Sequence, residues 1–161
     1  MVYQLVSLAI AGSGPHVEVT DDGGVRGRVE VFAAPEVVSA MLQRPPALYG
    51  ITQPDAHLQV RPDPDPACHE VEVVAPHPLL PTTFVARDCW TGAGLTTELV
   101  SSPQLSEMRG AWVVEPYGDH SVVEYRLKVQ LSGPFPDFVV RASTKRSVAK
   151  VLRSMEAAFR P

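Results

Sequence analysis

The sequence predicts an α+β fold built in the order strand, one or two short helices, six strands, long C-terminal helix. Three observations carry this reading. Val25-Arg26-Gly27-Arg28-Val29-Glu30-Val31 alternates apolar and polar residues, the period-two signature of a strand with one wet face. Beyond residue 57, segments of strand-like composition are separated by turn residues. From Asp137 to Phe159 the apolar residues Val140, Val148, Val151, Leu152, Met155 and Phe159 fall at helical spacing.

In chain order, a turn at Asp21-Asp22-Gly23-Gly24 precedes the first strand. Pro35 then opens a helix to Gln43, at a first-turn position where its missing N–H costs nothing; Val37, Val38, Met41 and Leu42 give it an apolar side. Pro45-Pro46 is expected to end that helix, leaving Ala47 to Gly50 room for at most another short helical turn. Strands are expected near His57–Arg61, His69–Ala75, Thr82–Trp90, Leu95–Ser101, Met108–Pro116 and Ser121–Leu131. Pro134 and Pro136 introduce the terminal helix. The chain has 16 prolines, roughly twice ordinary usage, clustered where these elements change over.

Two hairpins can be registered from the sequence. Centring one on Gly118-Asp119 pairs Val114 with Val123, Trp112 with Tyr125, Gly110 with Leu127 and Met108 with Val129 on one face. Arg109, Glu115, Glu124, Arg126 and Lys128 then fall on the other face; a slip of one residue would invert every side chain. The other hairpin turns through Pro76–Pro81, between Pro78 and Leu79. It sets Val73 against Phe84 and Val71 against Ala86, with Glu70 meeting Arg87 as an opposite-charge pair on the reverse face. The same register puts Cys68 opposite Cys89, where either a disulfide or two reduced thiols fit.

The bulk numbers exclude several classes. At 161 residues the chain fits one domain, residues 1–161, with residues 1–24 as an N-terminal segment, either a remnant signal region or an extra strand. A net charge of −4 gives no reason to expect nucleic acid as a partner. No apolar run reaches membrane-spanning length. Leu5 to Ala11 is apolar and ends in Ala9-Ile10-Ala11, a small-x-small form like that of a signal cleavage site, but no basic stretch precedes it. A cytoplasmic location is therefore expected, with secretion or the periplasm as the alternative if the segment is a truncated signal. Neither cysteine has metal-site spacing, and His57, His77 and His120 have no convergent second ligand, so no metal or cofactor is expected.

In that order the elements resemble the START-related superfamily, also called the polyketide cyclase/lipid-transport (SRPBCC) or helix-grip proteins. The resemblance rests on three stretches: Val29-Glu30-Val31-Phe32-Ala33-Ala34-Pro35-Glu36-Val37-Val38, the late hairpin from Met108 to Tyr125, and Gly133-Pro134-Phe135-Pro136 running into the last helix. It spans Val25 to Phe159 and is nearest in kind to bacterial stand-alone lipid-binding and coenzyme-Q-binding-like members. The proline-rich middle and the short second helix depart from common members. The resemblance implies a curved antiparallel sheet of about seven strands wrapped around the terminal helix, with a cavity between them. Relatives carry lipids, bind hormones or cyclise polyketides, so it implies no single activity.

On a concave sheet, Met108, Trp112, Tyr125 and Leu127, with Phe84 and Trp90, line the cavity or pack the core; Leu152 and Met155 close it from the helix. His69 and Asp88 face each other across the second hairpin, beside Trp90; such a pair anchors a ligand, transfers a proton or is a plain rim contact. No nucleophile motif, phosphate loop or paired-carboxylate spacing stands out. The leading expectation is therefore a binder or carrier of a lipid or other hydrophobic small molecule. An aromatase/cyclase-type enzyme and an interaction module with a vestigial cavity are the alternatives. Arg141, Lys145, Arg146, Lys150 and Arg153 make the terminal helix basic, which suits either a solvated face or transient docking to an anionic membrane.

Overall fold

The computed structural model describes residues 14–76, 82–92 and 94–161. Its elements are β1 (His16–Val19), β2 (Val25–Val31), α1 (Pro35–Leu42), α2 (Pro45–Thr52), β3 (His57–Pro62), β4 (Cys68–Ala75), β5 (Thr82–Thr91), β6 (Gly94–Ser101), β7 (Leu105–Tyr117), β8 (His120–Leu131) and α3 (Asp137–Ala158). The strands form one eight-stranded sheet in the order β1-β2-β8-β7-β6-β5-β4-β3, antiparallel throughout. The additional strand is β1, an edge strand in the N-terminal segment. The signal-like stretch Leu5–Ala11 and the turn Pro78-Leu79 with His77 lie outside the described residues.

Both hairpin registers expected from the sequence hold. β7 and β8 pair Val114 with Val123, Trp112 with Tyr125, Gly110 with Leu127 and Met108 with Val129. β4 and β5 pair Val73 with Phe84, Val71 with Ala86, His69 with Asp88 and Cys68 with Cys89. One charge pairing differs. Glu70 does lie opposite Arg87, but Arg87 reaches past it to Asp63 at 2.9 Å, and Glu70 pairs with Arg61 of β3. A long guanidinium takes whichever carboxylate lets it bond through two nitrogens, and Asp63 accepts from both Nε and Nη2.

Pro45-Pro46 does not merely end α1. Gln43 caps that helix, Arg44 turns to φ −112° and ψ 100°, and Pro45 starts α2, a helix that runs to Thr52 rather than a brief turn. Proline fits the first helical position because the N–H it lacks has no intrahelical partner there. In α1 the buried positions are Val38, Met41 and Leu42, while Val37 points to solvent.

The last helix, α3, packs across β1, β2 and β8 and against α2. Val148, Leu152 and Met155 are fully buried, and Thr144 satisfies its hydroxyl on the Val140 carbonyl at 2.7 Å. Gly27 makes the close approach possible. A Cβ there would collide with Leu152 Cδ1 and lie 2.8 Å from Val148 Cγ1. Complete burial of an aliphatic side chain such as Leu152 contributes about 1.5–3 kcal/mol.

Candidate functional site

On the inward face of the sheet, the β4–β5 register sets His69 beside Asp88, and the β5–β6 register sets Asp88 beside Thr97. Asp88 is 2% exposed. Thr97 Oγ1 donates to Asp88 Oδ1 at 2.6 Å, and Tyr49 Oη, coming down from α2, donates to Oδ2 at 3.0 Å. His69, opposite Asp88 on β4, makes no side-chain hydrogen bond to the carboxylate among the described residues.

Burial raises the Asp88 carboxyl above the usual carboxylate range; the Thr97 and Tyr49 hydroxyls and His69 pull the other way without cancelling it. The phenols register the same environment. Burial, then the charge of Asp88, pushes Tyr49 well above the ordinary tyrosine value and raises Tyr125 as well.

A cavity of about 100 Å³ lies over this cluster, walled by Leu42, Pro45, His69, Asp88, Trp90 and Leu95. Its exposed wall residues are Gln43, Pro66 and Ala67, so it opens between the α1–α2 junction and the turn before β4. A second, more open groove of about 320 Å³ lies between the β1–β2 turn and the start of α3, with Asp22, Val129, Leu131, Phe135, Val140 and Arg141 on its walls.

The sequence-predicted residues separate accordingly. His69, Asp88 and Trp90 come together at the smaller cavity. Trp112 and Tyr125 stack with ring centroids 4.1 Å apart and 15° between planes, and neither indole N–H nor phenol O–H has a hydrogen-bond partner among the described residues. Phe84, Met108, Leu152 and Met155 are core residues and Leu127 packs against them; none of these five lines either cavity. Arg87, on the opposite side of the sheet from Asp88, is exposed and bound to Asp63.

Tyr49 and Thr97 were not anticipated. Tyr49 sits in the helix that the proline pair concealed. Thr97 was recoverable, because a tight turn between Thr91 and Gly94 sets Trp90 opposite Leu95 and Asp88 opposite Thr97.

Cys68 and Cys89 form a disulfide, with Cα atoms 4.1 Å apart. The flanking bond from Trp90 N to Ala67 O, at 2.8 Å, marks this as a non-hydrogen-bonded pair, the closer of the two antiparallel spacings. On α3, Arg141, Lys145, Arg146, Lys150 and Arg153 are all exposed, and none forms an ion pair among the described residues. No group of His, Cys, Asp and Glu able to hold a metal occurs among the described residues, and no described helix is long and apolar enough to cross a membrane.

No protein-family model and no curated protein matches the chain. Solved structures do. A START superfamily protein from Mycobacterium smegmatis superposes with a TM-score of 0.73 at 16% identity, covering 84% of this chain and 96% of that one. A STAR-related lipid transfer protein from Xanthomonas axonopodis gives 0.73 at 18% identity, covering 92% and 95%. The Zhui aromatase/cyclase from a Streptomyces species gives 0.67 at 14% identity, covering 89% and 94%. With its long helix packed on an antiparallel sheet in this strand order, the chain has the START-like helix-grip fold.

Proposed function

We propose that the protein binds a hydrophobic small molecule whose polar end sits at His69 and Asp88 and whose apolar part lies against Leu42, Pro45, Trp90 and Leu95. The observation that carries this reading is the cavity of about 100 Å³, whose walls join the apolar Leu42, Pro45, Trp90 and Leu95 to His69 and a buried carboxylate. The sheet-to-α3 space is occupied by Leu152 and Met155, so the reading assigns the ligand to the α1–α2 end. A ligand larger than the cavity enters by displacing α1 and α2, two short helices of eight residues each. Lipid transfer and polyketide cyclisation appear among proteins of the same fold and support the choice of a hydrophobic ligand.

Native mass spectrometry of the freshly purified protein, followed by solvent extraction, tests this. An added mass that is lost on denaturation is the expected result. A clean unliganded mass, with no change in tryptophan fluorescence on titration with short-chain alcohols, would overturn it.

The exposed basic face of α3 supports a second element of the reading, transient contact with an anionic membrane during ligand exchange. Its cations have no carboxylate partner among the described residues, whereas Arg26, Arg28, Arg61, Arg87 and Arg126 on the sheet all have one. Phe135 (46% exposed), Phe138 (68%) and Val139 (42%) add apolar surface at the start of the same helix. Cations beside exposed aromatic residues suit a surface of anionic lipid. Co-sedimentation with phosphatidylserine vesicles but not with phosphatidylcholine vesicles is expected; equal sedimentation with both would remove the electrostatic account.

A further inference from the structure

We propose that the cavity over Asp88 selects its ligand by head group, accepting small amphiphiles that end in a hydrogen-bond donor, an alcohol or a primary ammonium, and refusing carboxylates. This rests on the cavity being a ligand site, and it adds the chemistry of the ligand's polar end.

An ionised carboxylate offers about four lone-pair sites. Asp88 uses one on each oxygen, for Thr97 and for Tyr49, and both of those groups donate. The carboxylate is therefore already oriented, by donors on two different elements, with acceptor capacity left over. Asp88 also borders the cavity.

Charge balance points the same way. Among the described residues no Lys or Arg acts on Asp88, and its cross-strand neighbour is His69. Burial first, and the negative charge of Asp88 second, raise the phenols of Tyr49 and Tyr125. A ligand carboxylate would bring a like charge into a partly desolvated space, where such repulsion is stronger than in water. An ammonium would relieve the field, and an alcohol would donate into it without adding charge.

Size limits the rest of the molecule. A cavity of roughly 150 Å³ accommodates benzene, so about 100 Å³ suits a head group with a short run of carbons, the remainder extending out past the exposed Gln43, Pro66 and Ala67.

The test uses n-hexylamine, n-hexanol and n-hexanoate at neutral pH with the intact protein, following tryptophan fluorescence together with backbone amide shifts at His69 and Trp90. Hexylamine and hexanol are expected to bind, with hexanoate weaker by about tenfold or more, the order of effect of one uncompensated charge. In Asp88→Asn, hexylamine should lose about tenfold, hexanol should be little changed, and hexanoate should approach hexanol. If none of the three shifts His69 and Trp90, the ligand-site reading falls and the selectivity falls with it. If all three bind alike, or hexanoate binds best, the selectivity alone is overturned and the site stands. Should Asp88→Asn fail to fold, the ranking on the unaltered protein decides the matter.

Discussion

Where α3 crosses β2, the inward surface is closed and apolar: Val25, Val29, Val31, Val148 and Leu152 are at most 1% exposed, and Gly27 lets the helix sit directly on the strand. Where the α1–α2 junction faces β4, β5 and β6, the inward surface carries Asp88, Thr97 and His69, and a cavity remains. The same sheet thus supports a packed half and a polar, incompletely filled half. A packed apolar interface gains stability from every atom and tolerates little movement. A half held by two short helices has fewer groups to separate if it opens. The difference teaches that close apolar packing and unfilled polar space are divided along the strand order, with β7 and β8 between them.

The largest expected effects lie in the packed half. Leu152→Ala should destabilise by about 2–5 kcal/mol, through lost burial plus the cavity left behind. Gly27→Val should be at least as damaging, because its side chain would have to displace Leu152 and Val148. Urea unfolding measures both; a loss below about 1 kcal/mol for either would show that α3 can shift away at little cost.

Next comes the disulfide. Replacing Cys68 and Cys89 together by serine should cost about 2–4 kcal/mol, since the bond spans 21 residues and restricts the unfolded chain. The same urea experiment reads it, and a much smaller loss would place the stabilising weight on strand pairing alone.

At Asp88 the comparison can be sharpened by pH. Asp88→Ala removes the acceptor for two hydroxyls and should cost about 1–3 kcal/mol, whereas Asp88→Asn keeps an acceptor and should cost less. The raised carboxyl pKa also sets a sign. Between its ordinary and raised values the native state binds more protons than the unfolded chain, so this group's contribution to stability falls as pH rises through that window. Lowering the pH should therefore favour the unaltered protein relative to Asp88→Asn. Unfolding both in steps from neutral to acid checks this; a constant difference would mean the carboxyl is not desolvated. The outer-face carboxylates Glu18 and Asp63 have the opposite sign. Hydrogen bonds from Arg26 and Arg87 hold them below the usual range, so whatever they contribute is lost as pH falls.

The smallest effect on stability should come from α3's outer face. Arg146→Glu with Arg153→Glu should leave the urea midpoint almost unchanged while abolishing any preference for anionic vesicles. A retained preference would move the docking surface elsewhere.

Much of the fold was legible because alternation and tight turns are local signals. The Gly118-Asp119 turn and the alternation around Trp112 and Tyr125 set the register of β7 against β8 to the residue, although β7 begins at Leu105, three residues before the expected Met108. The α2 helix was hidden because a proline pair is equally consistent with the end of one helix and the start of another. At the site, His69, Asp88 and Trp90 could be grouped from one hairpin register. Tyr49 could not, since it reaches Asp88 from an element 39 residues away in sequence, and no local pattern encodes that contact. The lining role expected of Met108, Leu127, Leu152 and Met155 depended on how completely side chains fill a concave sheet, which periodicity does not specify.

The bond between Cys68 and Cys89 has one further consequence. The cysteines are directly opposed and stand next to His69 and Asp88 along the two strands. Slipping β5 by one position would turn Asp88 outward, away from Tyr49 and Thr97, and send Arg87 or Cys89 inward in its place. A covalent link between opposed residues permits only one alignment at that point. The cross-link therefore acts as an indexing pin: while it is intact, the strand that carries the carboxylate cannot fold with its polar and apolar faces exchanged.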